Sequence, residues 1–110
     1  MKMNKYQKLA IRTCVALPSK YDHLNHAIMG LVSEVGEVAD AFKKFKYYGQ
    51  PIDNANIIEE LGDILWYVAL AAQALRCDLD YVASENIAKL QKRYPEKFTE
   101  ECAKERADKS

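Results

Sequence analysis

Two long stretches of this chain place their apolar residues at helical spacing, and no stretch alternates in polarity for long enough to suggest a strand. The stretch 23–47 does so with Leu24, Ile28, Leu31, Val35, Val38, Phe42 and Phe45, and the stretch 54–76 with Ile57, Leu61, Ile64, Val68, Ala72 and Leu75. Shorter stretches of the same kind span 4–17 and 80–93, and Pro18, Gly49, Pro51 and Pro95 separate the four. Four helices joined by short loops predict an all-α fold, an antiparallel four-helix bundle.

The composition favours one small domain that binds neither membranes nor nucleic-acid polymers. The 110 residues are 49% hydrophobic, enough for a single domain over 1–110, with its core in about 4–94 and a charged tail or short helix in 95–110. Sixteen basic and sixteen acidic residues cancel, whereas nucleic-acid coat proteins need excess Lys and Arg. No apolar run reaches the ~18 residues of a membrane span. Three scattered cysteines, Cys14, Cys77 and Cys102, favour a reducing compartment, so we expect a cytoplasmic protein.

The two long stretches repeat each other in detail. When 31–42 (LVSEVGEVADAF) is laid over 57–68 (IIEELGDILWYV), the apolar positions match and each copy carries acid-x-x-acid. The matched acids are Glu34 with Glu60 and Glu37 with Asp63, and a glycine precedes the second acid in both copies. Glycine in a helix interior costs ~1 kcal/mol relative to alanine. Its repeated placement therefore indicates close helix approach or room for a ligand beside the acids.

These acids predict a metal site. Acids three positions apart lie on one side of a helix, and here that side flanks the apolar stripe. Packing the two helices through their stripes would bring Glu34, Glu37, Glu60 and Asp63 to one place. Such carboxylates repel one another unless a cation intervenes, and Mg²⁺, with Mn²⁺ as a second candidate, suits oxygen ligands. A single pair of this kind is usually a solvated helix edge. The competing di-iron site requires Glu-x-x-His, which the chain lacks.

The fourth predicted helix carries a polar stripe of Asn86, Lys89 and Arg93, spaced i, i+3 and i+7. Lys and Arg with an amide suit phosphate oxygens and sugar hydroxyls. Cations near the end of a helix are also favoured by the helix dipole alone. Beside a carboxylate–metal site, the stripe predicts the phosphate-binding half of a polyphosphate site, with Lys44 as a weaker candidate. Trp66, which follows the second acidic motif, is expected to be a core or subunit-interface residue.

Four segments together resemble one protein family. They are YQKLAIRT at 6–13, GLVSEVGEVADAFKK at 30–44, EELGDILWYVALAA at 59–72 and NIAKLQKRYPEKF at 86–98. In this order they are similar to the MazG-like branch of the all-alpha nucleoside triphosphate pyrophosphohydrolases. Many members carry a glutamate where this chain has Ser33. That difference leaves the ligand positions intact and weakens the expectation of strong catalysis.

The resemblance implies a function as well as a fold. It implies that Glu34, Glu37, Glu60 and Asp63 hold Mg²⁺, that Asn86, Lys89 and Arg93 contact the nucleotide, and that the enzyme is a homodimer or homotetramer. The implied reaction cleaves a nucleoside triphosphate between the α- and β-phosphates, with Glu34 or Glu37 as the candidate to activate water. Two alternatives stay open. One is a relative that hydrolyses another nucleotide, such as dCTP or phosphoribosyl-ATP, and the other is a non-catalytic helical interaction module that binds metal.

Overall fold

The structure is a computed structural model that describes residues 1–109, and within them it contains helices and no strand. The helices are α1 (Met3–Ile11), α2 (Lys20–Tyr48), α3 (Asn54–Ala74), α4 (Leu79–Arg93) and α5 (Glu100–Glu105), followed by a 3₁₀ turn at Ala107–Lys109. The predicted all-α class is therefore confirmed. No helix of the described chain is long and apolar enough to cross a membrane.

Helix ends follow the local chemistry of the sequence. Four helices begin after a residue whose side chain accepts a hydrogen bond from a backbone N–H three positions later, namely Ser19 before α2, Asp53 before α3, Asp78 before α4 and Thr99 before α5. The α2 helix ends at Gly49, which adopts the left-handed conformation with φ of 70°. These signals place α2, α3 and α4 within three residues of the predicted bounds.

The first helix is shorter than the predicted 4–17, and that expectation is wrong at its C-terminal end. The Ala10 carbonyl accepts hydrogen bonds from Thr13 Oγ1 (2.7 Å) and from the indole Nε1 of Trp66 (3.2 Å). Trp66 Nε1 also lies 2.8 Å from Thr13 Oγ1. The helix therefore ends at Ile11, and a side chain on α3 bonds a carbonyl of its last turn.

The long helices α2 and α3 form an antiparallel pair, and α1 packs on α3. The buried cluster is small: Ala10, Ala69, Ala72 and Leu79, with Trp66 among the half-buried residues around it. One buried polar side chain, Gln7, joins α1 to the start of α4. Its Oε1 accepts from the Leu79 backbone N–H at 2.8 Å, and its Nε2 donates to the Cys77 carbonyl at 3.1 Å.

A single chain leaves much of its apolar surface uncovered. The radius of gyration is 17.1 Å, compared with about 13 Å for a compact domain of this length. The accessible surface is 8366 Å², compared with about 6,200 Å² for a monomer of this size. Helix α4 contacts α1, α3 and the C-terminal segment, and every residue from 81 to 92 is exposed. A closed four-helix bundle within one chain is therefore not confirmed.

Candidate metal centre

Three of the four predicted ligands lie together between α2 and α3. Carboxylate oxygens of Glu34, Glu37 and Glu60 all lie within 4.8 Å of one another. The antiparallel packing of the two helices explains this, because it places Glu60 of α3 beside the turn of α2 that carries Glu34 and Glu37. Glu34 and Glu60 are half-buried, whereas Glu37 is exposed. The cluster therefore has two carboxylates held against the helix pair and one at its edge.

Two oxygens of this cluster have no hydrogen-bond donor within the described chain. Glu34 Oε2 and Glu60 Oε2 are both buried and unpartnered. A buried acceptor without a partner costs about 1–3 kcal/mol in general, so such atoms need an explanation. Three carboxylates with two unpartnered oxygens offer the all-oxygen donor set that hard divalent cations prefer. The residues present therefore fit a divalent metal ion.

The carboxylates also perturb one another's protonation. The pKa of Glu37 is raised, first because its protonated form can donate a hydrogen bond to Glu60 and then by the negative charge of Glu60. The pKa of Glu60 is raised, first because its protonated form can donate a hydrogen bond to Glu34. A shared proton relieves the repulsion between neighbouring carboxylates, and a metal ion would do the same without that proton.

Asp63 lies outside the 4.8 Å group but acts on it through its charge. That charge contributes to the raised pKa of both Glu37 and Glu60. It also contributes, after burial, to the raised pKa of Tyr6 on α1. The acidic region therefore extends from the helix pair toward α1.

Space lies beside the carboxylates and at the motif glycines. A cavity of about 460 Å³ extends from Glu37 and Glu60 to the α2–α3 loop and is lined by Lys44, whose Nζ lies 3.2 Å from Asp40 Oδ2. An added Cβ at Gly36 or Gly62 would meet no atom within 4 Å. Close packing of helices within the chain therefore does not explain these glycines. They leave space that a ligand or a second chain could occupy.

An aromatic group lies next to the acidic region along the same two helices. Tyr67 contacts the rings of His26 and Trp66, with centroids 5.7 and 4.9 Å apart. The Tyr67 ring also covers Gly30, where an added Cβ would collide with it. Trp66 packs on the core, as the sequence predicted. Gly30 escaped the sequence analysis, although an unexplained glycine inside a helix was the available signal.

In the part of the chain that the structure describes, the predicted phosphate-binding residues of α4 do not share a common contact and do not reach the carboxylates. Asn86 and Lys89 are exposed on α4, whereas Arg93 forms an ion pair with Asp108. Among residues 1–109, no hydrogen bond or ion pair joins these three to the carboxylates. Asp108 was another residue that the sequence analysis missed, because a lone aspartate in a charged tail carries no pattern.

Comparison with known proteins gives two findings. Residues 23–98 match the family model of the MazG nucleotide pyrophosphohydrolase domain. Over 74 residues the chain is 39% identical to the Gene 37 protein of Mycobacterium phage L5, an alignment that covers 64% of this chain and 65% of that protein. The chain thus spans about two thirds of that relative's length. No solved structure gives a significant match.

Proposed function

The chain belongs to the MazG nucleotide pyrophosphohydrolase family, and on that premise we propose that it hydrolyses nucleoside triphosphates between the α- and β-phosphates with Mg²⁺ as cofactor. The observation that carries this proposal is the group of Glu34, Glu37 and Glu60 with its two buried, unpartnered oxygens. An adjacent cavity of about 460 Å³ falls within the usual range for small-molecule sites.

Glu34, Glu37 and Glu60 would hold the cation, with Asp63 completing the set, and Mn²⁺ is a second candidate. A bound divalent ion supplies neutralisation of the charge that develops on the leaving pyrophosphate. An oxygen of Glu34 or Glu37 that is not committed to the ion orients the attacking water and accepts its proton. Of the two, Glu37 is the more exposed and has a raised pKa, which suits a group that must take up a proton.

On the substrate side, we assign phosphate binding to Lys89, Arg93 and Lys44, and sugar or phosphate contact to Asn86. Lys44 lines the cavity beside the carboxylates. Its ammonium group is paired with Asp40 through an exposed i,i+4 contact, which is weak enough to be exchanged for a phosphate oxygen. Lys89 and Arg93 come from α4, which does not join the carboxylates through any bond within residues 1–109.

A homodimer or homotetramer would bring α4 of one copy against another. Support comes from the expanded radius of gyration of 17.1 Å and from apolar side chains that stay exposed along α4, including Ile87 at 53% and Val82 at 39%. Helices from two chains would then complete the bundle. We expect Ile87→Asp to yield monomers by light scattering, while Lys92→Asp, on another side of α4, leaves the assembly intact. A monomeric wild-type protein would contradict the assembly.

The activity is tested by incubating the protein with Mg²⁺ and a panel of nucleoside triphosphates, then measuring monophosphate and pyrophosphate. Glu60→Gln should abolish turnover while helical content by circular dichroism persists. Glu59→Gln is the matched control, since it removes the same charge from an exposed neighbouring position on α3. Absence of product from every nucleotide, with Mg²⁺ still raising the melting temperature, would leave only a non-catalytic metal-binding module.

A further inference from the structure

The C-terminal segment, residues 100–109, binds the side chain of Arg93, one of the proposed phosphate-binding residues. Arg93, the last residue of α4, donates from Nε to Asp108 Oδ1 at 3.0 Å and from Nη2 to Oδ2 at 3.1 Å. This is a two-point contact of a guanidinium with a carboxylate, which fixes the plane as well as the position of the group. Only 2% of the Asp108 side chain and 17% of the Arg93 side chain remain accessible.

A second arginine contacts the same carboxylate. Arg106 Nε lies 3.3 Å from Asp108 Oδ1, and Arg106 itself adopts the left-handed backbone conformation with φ of 50°. The hydrogen bond from Arg93, followed by the one from Arg106, holds the pKa of the Asp108 carboxyl well below its usual range. Two guanidinium groups around one carboxylate leave the cluster with a net positive charge, so it still attracts an anion.

Asp108 leaves some donors of the Arg93 guanidinium unused, and Tyr94 lies against the same group, with its ring centroid 5.8 Å from Arg93 Cζ. A guanidinium carries five N–H donors, and Asp108 uses the Nε–H and one hydrogen of Nη2. The remaining donors lie on Nη1 and on the outer side of Nη2. An arginine whose rotamer is already fixed loses less conformational entropy when it binds a phosphate than one on a free side chain.

The segment that supplies Asp108 lies outside the family match. That match ends at residue 98, and α5 with the following 3₁₀ turn occupies 100–109. The turn packs against α4, and Thr99 caps α5 by accepting from the Cys102 backbone N–H at 3.0 Å. These residues therefore lie beyond the matched part of the chain and pack on the helix that carries Asn86, Lys89 and Arg93.

We propose that Asp108 is a positioning residue, which holds the guanidinium of Arg93 by one edge so that the other edge receives a phosphate group of the nucleotide. This inference rests on the proposed function. Replacing Asp108 releases Arg93 into several rotamers, and nucleotide affinity falls by about two- to tenfold, the range expected when one long side chain must be immobilised on binding. Turnover of bound substrate changes little, because Asp108 itself does not reach the reacting atoms.

The experiment compares Asp108→Asn with Glu105→Gln in the intact chain. Glu105→Gln removes the same charge from an exposed position of the same segment. The dissociation constant of an α,β-methylene nucleoside triphosphate is measured by calorimetry with Mg²⁺, together with kcat and KM for the hydrolysable nucleotide. We expect Asp108→Asn to raise the dissociation constant and KM, with kcat within about twofold of wild type, and Glu105→Gln to match wild type.

A double variant separates positioning from a general loss of structure. In an Arg93→Ala background, Asp108→Asn should cause no further loss of affinity, because its effect passes through Arg93. An equal loss in both backgrounds, unchanged affinity in Asp108→Asn, or tighter binding from a released Arg93 would each overturn the inference while leaving the proposed function intact. A wild-type protein that neither binds nor hydrolyses any nucleotide would overturn both.

Discussion

Replacing Gly30 by alanine should destabilise the protein, although the same substitution usually stabilises a helix. A Cβ at this position would lie closer than 3.0 Å to three carbons of the Tyr67 ring. To restore ordinary contact at 3.4 Å, the ring must retreat by more than 1 Å from α2. Overpacking of this kind costs about 1–3 kcal/mol, and the better helix propensity of alanine returns ~1 kcal/mol of that.

The net loss in the free energy of unfolding is therefore up to about 2 kcal/mol, which corresponds to a fall in the melting temperature of up to about 8 °C for a chain of this size. Thermal unfolding followed by circular dichroism measures it. Two other helical glycines serve as matched controls, since a Cβ at Gly36 or Gly62 meets no atom within 4 Å. In the monomeric Ile87→Asp background without nucleotide, alanine at either position should raise the melting temperature through helix propensity alone.

A double variant tests whether Tyr67 is the cause. In a Tyr67→Leu background the ring is gone, so Gly30→Ala should become neutral or stabilising, with a coupling energy of about 1–3 kcal/mol. The reasoning is refuted if Gly30→Ala raises the melting temperature as Gly36→Ala does. It is also refuted if the loss persists unchanged without the Tyr67 ring.

Three further perturbations follow from other contacts. The raised pKa values mean that Glu37 and Glu60 bind protons more tightly in the folded chain than in the unfolded chain. Lowering the pH from about 7 to about 5 should therefore raise the melting temperature of the metal-free protein. Saturating Mg²⁺ should remove this effect. Trp66→Phe deletes the indole bonds to the Ala10 carbonyl and to Thr13, so we expect a loss of about 1 kcal/mol in urea unfolding, and no loss would contradict that contact. Gln7→Ala leaves the buried Leu79 N–H without its acceptor and should cost about 1–3 kcal/mol, whereas Gln91→Ala, on the exposed face of α4, should cost little.

The sequence by itself determined the all-α class and, to within three residues, where α2, α3 and α4 begin and end. Apolar spacing, the capping residues Ser19, Asp53 and Asp78, and Gly49 act over a few residues, so their effect can be read locally. Because acids three positions apart share one side of a helix, the same spacing predicted that Glu34, Glu37, Glu60 and Asp63 would meet. The structure places oxygens of the first three within 4.8 Å of one another and leaves Asp63 outside that group.

Tertiary structure alone decided the features that depend on contacts between distant residues. Trp66 bonds the Ala10 carbonyl in the last turn of α1, Tyr67 requires a glycine at position 30, and Asp108 holds Arg93. Each contact joins single residues that repeat with no period, so no pattern in the sequence announces it. The packing partner of α4 also depends on tertiary structure. Its apolar stripe shows which side of the helix must be covered, but not whether the same chain or a second chain covers it.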